Sequence, residues 1–166
     1  MQANTTGYYV VAIGRDALNL NTTGSLNTSV GDYSMAVNTT GFDNVALGYS
    51  ALLANTTGSY NTAIGKHAIK SSITSNYNTA VGFDSQKLTT GSGNVSLGAL
   101  TLDANTTGSN NIAIGGHALG GNTTASNSVA IGVQALYQNT TGDKNVAVGL
   151  ESLYTNLTGD NNTAVG

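Results

Sequence analysis

The stretch NTTGSYNTAIGKHAIKS, residues 55–71, contains every element of the repeat that decides the fold. Its second glycine recurs along the chain with a step of 17 residues, interrupted by a single step of 16. These recurring glycines are Gly14, Gly31, Gly48, Gly65, Gly82, Gly98, Gly115, Gly132, Gly149 and Gly166. A fixed short period indicates a repeat architecture, in which neighbouring units share one core. We number each repeat from 1 to 17, with Asn55 at position 1 and Gly65 at position 11.

Composition narrows the classes of protein to which the chain can belong. Charged residues make up 8% of the 166 residues and the net charge is −3, so no basic surface points to a nucleic-acid partner. The absence of cysteine excludes disulfides and thiolate metal sites. No apolar run is long enough for a transmembrane helix, and residues 1–4 lack the regions of a signal peptide. We therefore expect no membrane insertion of this segment.

Positions 7 to 10 of the repeat have the alternation of a β-strand. Position 8 is Val, Ile or Thr in all ten repeats, and position 10 is Ile, Val or Leu. We predict that the position-11 glycine ends the strand, because glycine takes a positive φ without steric cost. A second short extended segment is predicted at about positions 12 to 16. In the Asn-Thr-Thr-Gly turn at positions 1 to 4, glycine is expected to supply a left-handed conformation.

Two strands and two turns in 17 residues make one coil of a β-solenoid, since a helical repeat needs more than about 30 residues. The sequence therefore predicts an all-β protein, a parallel β-solenoid of ten rungs with residues 1–166 as a single repeat domain. With about 4.8 Å between rungs, the rod is roughly 45 Å long. Because the first and last repeats are incomplete, we expect the chain to be a window of a longer array, or its ends to pair with other copies in an end-to-end filament.

The two faces of the predicted strand differ in size. We expect the side chains of positions 8 and 10, joined by position 15, to point into the coil. Each buried aliphatic contributes about 1.5–3 kcal/mol, whereas ordering a residue costs about 1–2 kcal/mol, so one rod alone has a thin core. The small, uncharged face of positions 7, 9 and 11 is predicted to pack against copies of the chain, most simply as a side-by-side homotrimer.

All charged and all aromatic residues fall at positions 5, 6, 12, 13 or 16, with Lys87 placed at position 16, which predicts an exposed rim. Tyr60 and Tyr77 share position 6 on neighbouring rungs, and Tyr137 and Tyr154 share position 16. Tyrosines about 5 Å apart suit contact with the apolar face of a sugar. These four are candidate contacts to host-surface glycans or proteins; the alternative is a ladder that stabilises the rod.

The Asn-x-Thr turns create eight N-glycosylation sequons. The candidate acceptors are Asn4, Asn21, Asn38, Asn55, Asn105, Asn122, Asn139 and Asn156, and three incidental sequons begin at Asn27, Asn94 and Asn161. The alternative is a ladder of Asn and Thr side chains that bond along the rod. Ser72 and Leu88 are placed at position 1 of two repeats, so the turn keeps Thr without needing a sequon. An ice-binding surface is disfavoured, because adjacent Thr side chains point in different directions.

No arrangement of residues predicts catalysis, and we expect no catalytic residue, no metal site and no cofactor. The two histidines, His67 and His117, both occupy position 13 and lie three rungs apart, or about 14 Å. They are interpreted as surface residues or as a ring about a trimer axis. No pair of carboxylates lies on the rungs next to either histidine, since Asp84, one rung from His67, has no second carboxylate beside it. The 16-residue step predicts a local irregularity at Gln86 and Lys87, with one residue lost between Phe83 and Thr89.

The string Asn-(Thr/Ser/Val)-Ala-(Ile/Val)-Gly, as in residues 61–65, resembles the YadA-like head repeats of trimeric autotransporter adhesins and similar repeats of phage and viral tail-fibre proteins. The resemblance covers the whole chain and implies a left-handed parallel β-roll that forms a side-by-side homotrimer. It implies a non-enzymatic extracellular fibre or adhesin segment, on a cell or virion surface, that presents a binding surface. The Asn-Thr-Thr-Gly turn departs from the shorter common repeat. The alternative function is a self-assembling extracellular filament, glycosylated on these turns.

Overall fold

The computed structural model describes residues 2–166 as one stack of short parallel strands. The strands are β1 (Val11–Ile13), β2 (Thr28–Val30), β3 (Val45–Leu47), β4 (Thr62–Ile64), β5 (Thr79–Val81), β6 (Val95–Leu97), β7 (Ile112–Ile114), β8 (Val129–Ile131), β9 (Val146–Val148) and β10 (Thr163–Val165). Each strand pairs with the next one along the chain, so the sheet order is β1 to β10. Within residues 2–166, no helix is long and apolar enough to cross a membrane.

The register of the sheet repeats the period of the sequence. Thr28 pairs with Val45, and Thr62 pairs with Thr79. Across the 16-residue step, Thr79 pairs with Val95, so every strand keeps positions 8 to 10 of its repeat. Because each parallel strand follows the previous one after a single coil, the chain winds as a solenoid whose rungs contact only their neighbours. The prediction of an all-β parallel solenoid is confirmed.

The part of each coil after the position-11 glycine is a turn, so the prediction of a second extended segment at positions 12 to 16 is wrong. Positions 13 and 15 have a left-handed backbone, as at Ser50 (φ 53°) and Leu52 (φ 51°). A left-handed residue other than glycine costs about 1–3 kcal/mol. Two features offset this cost: Leu52 is fully buried, and its N–H donates to the carbonyl of Ala68 on the next rung at 2.9 Å.

The prediction that the glycine of the Asn-Thr-Thr-Gly turn supplies a left-handed conformation is wrong; in most repeats this glycine lies where adjacent rungs leave no room for a side chain, and Ser75 and Ala125 replace it in two. The repeating positive φ of glycine lies at position 11, as at Gly48 (φ 135°), and not at position 4, where Gly41 stands. A Cβ on Gly41 would collide with the carbonyl oxygen of Gly58 and with Oδ1 of Asn38. The turn therefore brings the backbones of adjacent rungs into direct contact.

The interior of the rod is lined by the small face of the strand, so the prediction that positions 8 and 10 point inward is wrong. Ala46 at position 9 and Asn44 at position 7 are fully buried, whereas Val45 and Leu47 between and beside them are 38% and 46% exposed. Tight turns leave a narrow interior, which Ala and Asn fill from the strand. Leu52 at position 15 fills it from the opposite wall. The aliphatic face of each strand consequently points away from the coil.

A polar rung interrupts the core, as the 16-residue step led us to expect. Gln86 occupies position 15 and is fully buried. Its Nε2 donates to the Thr79 carbonyl oxygen and to Ser96 Oγ, both at 2.9 Å. This rung separates two apolar clusters, one running from Leu18 to Ala80 and the other from Leu102 to Ala147.

The residue missing from the 16-residue step lies in the following turn, and not between Phe83 and Thr89 as predicted. Thr89 occupies position 1, where its Oγ1 accepts a hydrogen bond from Asn105 Nδ2 at 2.6 Å. The chain then reaches Gly91 one residue early, so this rung has no residue at position 3. Leu88 therefore stands at position 17, and Thr89 replaces the usual asparagine.

Candidate binding surfaces

The asparagines at position 1 form a ladder along the rod. Asn38 Nδ2 donates to Asn21 Oδ1 at 2.8 Å, and Asn55 Nδ2 donates to Asn38 Oδ1 at 2.8 Å. The same nitrogen also closes the turn, because Asn38 Nδ2 donates to the Gly41 carbonyl oxygen at 3.0 Å. Fully buried members of the ladder are Asn21, Asn38, Asn55, Asn105, Asn122 and Asn139, and Asn4 and Asn156 are half-buried.

The geometry of this ladder bears on the sequons. An N-linked glycan is attached to Nδ2 of asparagine, the nitrogen that here bonds both to the neighbouring rung and across the turn. In the six buried asparagines, a glycan would displace these hydrogen bonds and enter space that adjacent rungs fill. The folded rod therefore favours the ladder over glycosylation at these positions, and glycosylation remains a prediction for the intact mass to test.

Two further ladders connect the rungs. At position 7, the backbone N–H and Nδ2 of Asn44 donate to Asn27 Oδ1 at 3.0 and 3.2 Å. At position 2, Thr39 Oγ1 donates to the carbonyl oxygen of Thr56 at 3.0 Å. The neighbouring Thr40 at position 3 is exposed. Most polar side chains of the turn are thus bonded along the rod, while the position-3 hydroxyls face the solvent.

One edge of the rod carries an aromatic ladder at positions 5 and 6. Phe42 meets Tyr60 edge to face, with ring centroids 5.1 Å apart. Tyr60 stacks on Tyr77 with centroids 5.0 Å apart and 2° between the ring planes. The two rings cover one face of each other, so a ligand could reach only their edges and outer faces. Tyr77 is 63% exposed, against 44% for Tyr60.

A second edge, at positions 12 and 13, combines aromatic and cationic side chains. The Arg15 guanidinium lies 4.7 Å from the centre of the Tyr33 ring, and the Tyr33 and Tyr49 rings meet edge to face at 6.0 Å. Lys66 Nζ lies 6.0 Å from the Tyr49 ring and 5.9 Å from the Phe83 ring. Each exposed cation–π contact of this kind contributes about 0.5–1 kcal/mol. These side chains therefore tie neighbouring rungs together.

Asp84 is a buried carboxylate on the same edge. Its Oδ1 lies 2.9 Å from His67 Nδ1, and its Oδ2 accepts a hydrogen bond from Lys87 Nζ at 2.9 Å. Burial opposes the ionisation of Asp84, but the hydrogen bonds from Lys87 and His67 outweigh it and hold its pKa below the ordinary value of 3.8. Both histidines are half-buried. The arrangement is a satisfied ion-pair cluster across two rungs.

The tyrosines predicted at position 16 also stack, but they are less accessible. The rings of Tyr137 and Tyr154 lie 5.4 Å apart with 24° between their planes, and His117 meets Tyr137 at 5.9 Å. Both tyrosines are half-buried. A Cβ on Gly120 would lie 3.0 Å from Tyr137 Cε2, so the Tyr137 ring covers the backbone of the preceding rung. This geometry favours the ladder interpretation for Tyr137 and Tyr154.

The outward face of the strands is the most extended apolar surface of the rod. Positions 8 and 10 carry no charge in any repeat. The most exposed aliphatics on this face are Val11, Ile13, Val45, Leu47, Val95, Leu97, Ile112, Ile131 and Val165. We call these two columns the strand stripe; at about 4.8 Å per rung it is roughly 45 Å long. Contiguous exposed apolar patches mark interaction sites, whereas isolated apolar residues do not.

Sequence reasoning missed the strand stripe, although a signal for it was present. Alternation shows that a strand has two faces, but it does not show which one faces the interior. The small side chain at position 9, Ala or Ser in every repeat, was the available signal. A coil this short has room inside only for the smaller of its two strand faces.

Searches against models of protein families, curated proteins and solved structures each found no match.

Proposed function

We propose that the chain is a non-enzymatic segment of an extracellular fibre or adhesin, on a cell or virion surface. Rods of this fold lie side by side through the strand stripe and display the aromatic and charged rim to the surroundings. The observation that carries this proposal is the strand stripe itself, which is uncharged on all ten rungs and carries exposed aliphatic side chains on six strands, β1, β3, β6, β7, β8 and β10.

The size of the strand stripe supports association with copies of the same chain. A stripe about 45 Å long and roughly 10 Å wide covers on the order of 450 Å², which equals the largest apolar patch of a typical monomeric protein, a patch that is often a binding site. Its two columns keep the same register from rung to rung, so an identical stripe offers a matching row of side chains. The resemblance to trimeric adhesin heads makes a homotrimer the assembly that we propose, with three stripes meeting about a common axis.

A pair of matched charge substitutions tests the assembly. Leu47 lies in the strand stripe and Leu26 lies at position 6 on the aromatic edge, and their exposures are nearly equal at 46% and 45%. We expect Leu47→Glu to convert a trimer into monomers, because it would bury an unpaired carboxylate at the interface. Leu26→Glu is expected to remain trimeric. Light scattering after size-exclusion chromatography gives both masses, and equal masses for the two variants would contradict an interface at the stripe.

A purely structural filament is the second candidate function. Its support is that the stacked rings of Tyr137 and Tyr154 are half-buried and tie rungs together, as they would in a rod without a ligand. The two candidates share the same assembly and differ in whether the rim binds anything. Binding of the purified trimer to glycans or proteins of a host-cell surface distinguishes them, since a filament would bind none.

A further inference from the structure

We propose that the rod binds a single sugar ring in a notch on the aromatic edge, between Tyr77 and Asn110, at the rung of Gly93. We call this space the Gly93 notch. The inference deepens the proposed adhesin function and rests on it, because it names the class of ligand and the place where it binds.

The notch arises from the order of residues at position 6. Tyr60, Tyr77, Gly93 and Asn110 occupy this position on four successive rungs, and all four have a left-handed backbone, with φ between 58° and 73°. Tyr60 and Tyr77 stack with parallel rings 5.0 Å apart. At the next rung the ladder reaches Gly93, which has no side chain to continue the stack. The face of the Tyr77 ring turned away from Tyr60 is therefore open.

Two further observations agree with an open ring face at this place. Tyr77 is 63% exposed, whereas Tyr60, which has Phe42 on one side and Tyr77 on the other, is 44% exposed. The rung of Gly93 is also the one whose turn has lost a residue, so Thr90 leads directly into Gly91. The missing residue and the missing side chain both recess the surface at the same rung.

The dimensions of the notch suit one ring. The backbones of Tyr77 and Asn110 are two rungs apart, or about 9.6 Å, and the Asn110 amide reaches back to the rung of Gly93. A ring about 3.5–4.0 Å from the Tyr77 face therefore meets this amide in the notch itself, and the exposed Asn110 side chain must turn aside to admit it. Position 6 precedes the strand, so the notch is formed by residues other than those of the strand stripe.

The chemistry of the two walls points to a pyranose. The Tyr77 ring offers an apolar face, against which the C–H face of a sugar can pack. On the other side, Asn110 is exposed, and its Oδ1 lies 2.5 Å from the place that a Cβ of residue 93 would occupy. This amide reaches into the notch and can both donate and accept hydrogen bonds with ring hydroxyls. A flat, wholly apolar ring would pack against the Tyr77 ring but would make no hydrogen bond with the Asn110 amide.

The test uses the full chain and the methyl glycosides of glucose, galactose and N-acetylglucosamine, with phenol as a planar aromatic probe that carries a single hydroxyl group. Saturation-transfer NMR and titration measure binding. We expect at least one glycoside to bind with a Kd on the order of 1 mM, and more tightly than phenol. Tyr77→Ala and Asn110→Ala are each expected to weaken binding about tenfold. Tyr49→Ala, which removes an exposed tyrosine from the other edge, leaves it unchanged.

A substitution that fills the notch gives the sharpest control. Gly93→Tyr extends the existing ladder at a position where Tyr60 and Tyr77 already have the same backbone conformation. The new Cβ displaces the exposed Asn110 amide, whose Oδ1 lies 2.5 Å from its place, so the rod is expected to fold with Asn110 turned outward, and binding is expected to be lost. Three results would each contradict sugar binding in the Gly93 notch. They are unchanged binding in Gly93→Tyr or Tyr77→Ala, no binding of any glycoside, and tighter binding of phenol than of the glycosides. The oligomeric mass of the same samples is read separately: a trimer that ignores sugars contradicts the notch alone, and a monomer that binds them contradicts the proposed assembly alone.

Discussion

Replacing Gly48 by alanine measures how tightly the rungs are stacked. The new Cβ would lie 2.7 Å from both the carbonyl carbon and oxygen of Gly65, where ordinary van der Waals contact begins at 3.4 Å. The two rungs must separate to relieve this overlap, which stretches the 2.8 Å hydrogen bond from Gly65 N–H to the Leu47 carbonyl oxygen at a cost of about 1 kcal/mol. The φ of 135° costs alanine about 1–3 kcal/mol more. We expect Gly48→Ala to lower the free energy of unfolding by about 2–4 kcal/mol.

Gly116→Ala is the matched control, because a Cβ there meets nothing closer than the Ala99 carbonyl oxygen at 3.9 Å. We expect no loss of stability, and a gain of up to about 1 kcal/mol from the reduced entropy of the unfolded chain. Urea denaturation followed by circular dichroism measures both variants, at one protein concentration because assembly adds to the apparent stability. Equal midpoints for the two variants would refute the account of rung contact at position 11.

Three further predictions concern the ladders, the ion cluster and the polar rung. Asn38→Ala is expected to lower the free energy of unfolding by about 2–4 kcal/mol, since it removes three buried hydrogen bonds. Thr40→Ala destroys the same sequon at an exposed site and is expected to change the free energy of unfolding by less than about 0.5 kcal/mol. An intact mass of the parent protein equal to its sequence mass would confirm that neither effect involves a glycan. Because the pKa of Asp84 is lowered in the folded state, its ionised carboxylate stabilises the fold above pH 3.8, and this stabilisation is lost as the pH falls through the lower folded value. Asp84→Asn is therefore expected to reduce the melting temperature at pH 7 and to weaken the fall of the melting temperature with decreasing pH. Burial raises the pKa of Asp103, so its ionisation destabilises the fold increasingly as the pH rises above 3.8, and fully once the pH exceeds the raised value. Asp103→Asn is therefore expected to raise the melting temperature at pH 7, and equal shifts in the Asp84 and Asp103 variants would contradict these signs. Gln86→Leu is expected to stabilise the rod by about 1–2 kcal/mol, because Oε1 of Gln86 is buried without a partner among residues 2–166, and the neighbouring rungs have Ile69 and Leu102 at this position. Gln134→Leu at a half-buried surface site is the control. A loss of stability in Gln86→Leu would show that the hydrogen bonds of Gln86 Nε2 contribute more than the unpaired Oε1 costs.

The sequence predicted the period, the parallel pairing and the strand at positions 8 to 10, because these depend on local alternation and on exact repetition. Alternation could not tell which face of the strand lies inside. That choice depends on the width of the coil, which is set by the turn at positions 12 to 17. The turn uses leucine in a left-handed conformation, as at Leu52 (φ 51°), and no propensity favours this choice for leucine.

The candidate surfaces were predictable to different degrees. The shared position of Tyr60 and Tyr77 follows directly from the period, and the structure shows their stack. The gap at Gly93 also follows from the period, since Gly93 precedes the recurring Gly98 by five residues, whereas the residue missing from the 16-residue step is located by the hydrogen bonds of Thr89 and Thr90 to the next rung. The burial of the position-1 asparagines likewise needs the three-dimensional path of the turn, since the same Asn-Thr-Thr-Gly letters describe both a sequon and a ladder.

The central claim is that the strand stripe is covered by identical stripes of two other chains. Sedimentation equilibrium of the unmodified chain over a wide range of concentrations tests it most directly. The account predicts a single species of three chain masses, with a folded monomer appearing only on strong dilution. A stable, folded monomer at all concentrations would contradict it.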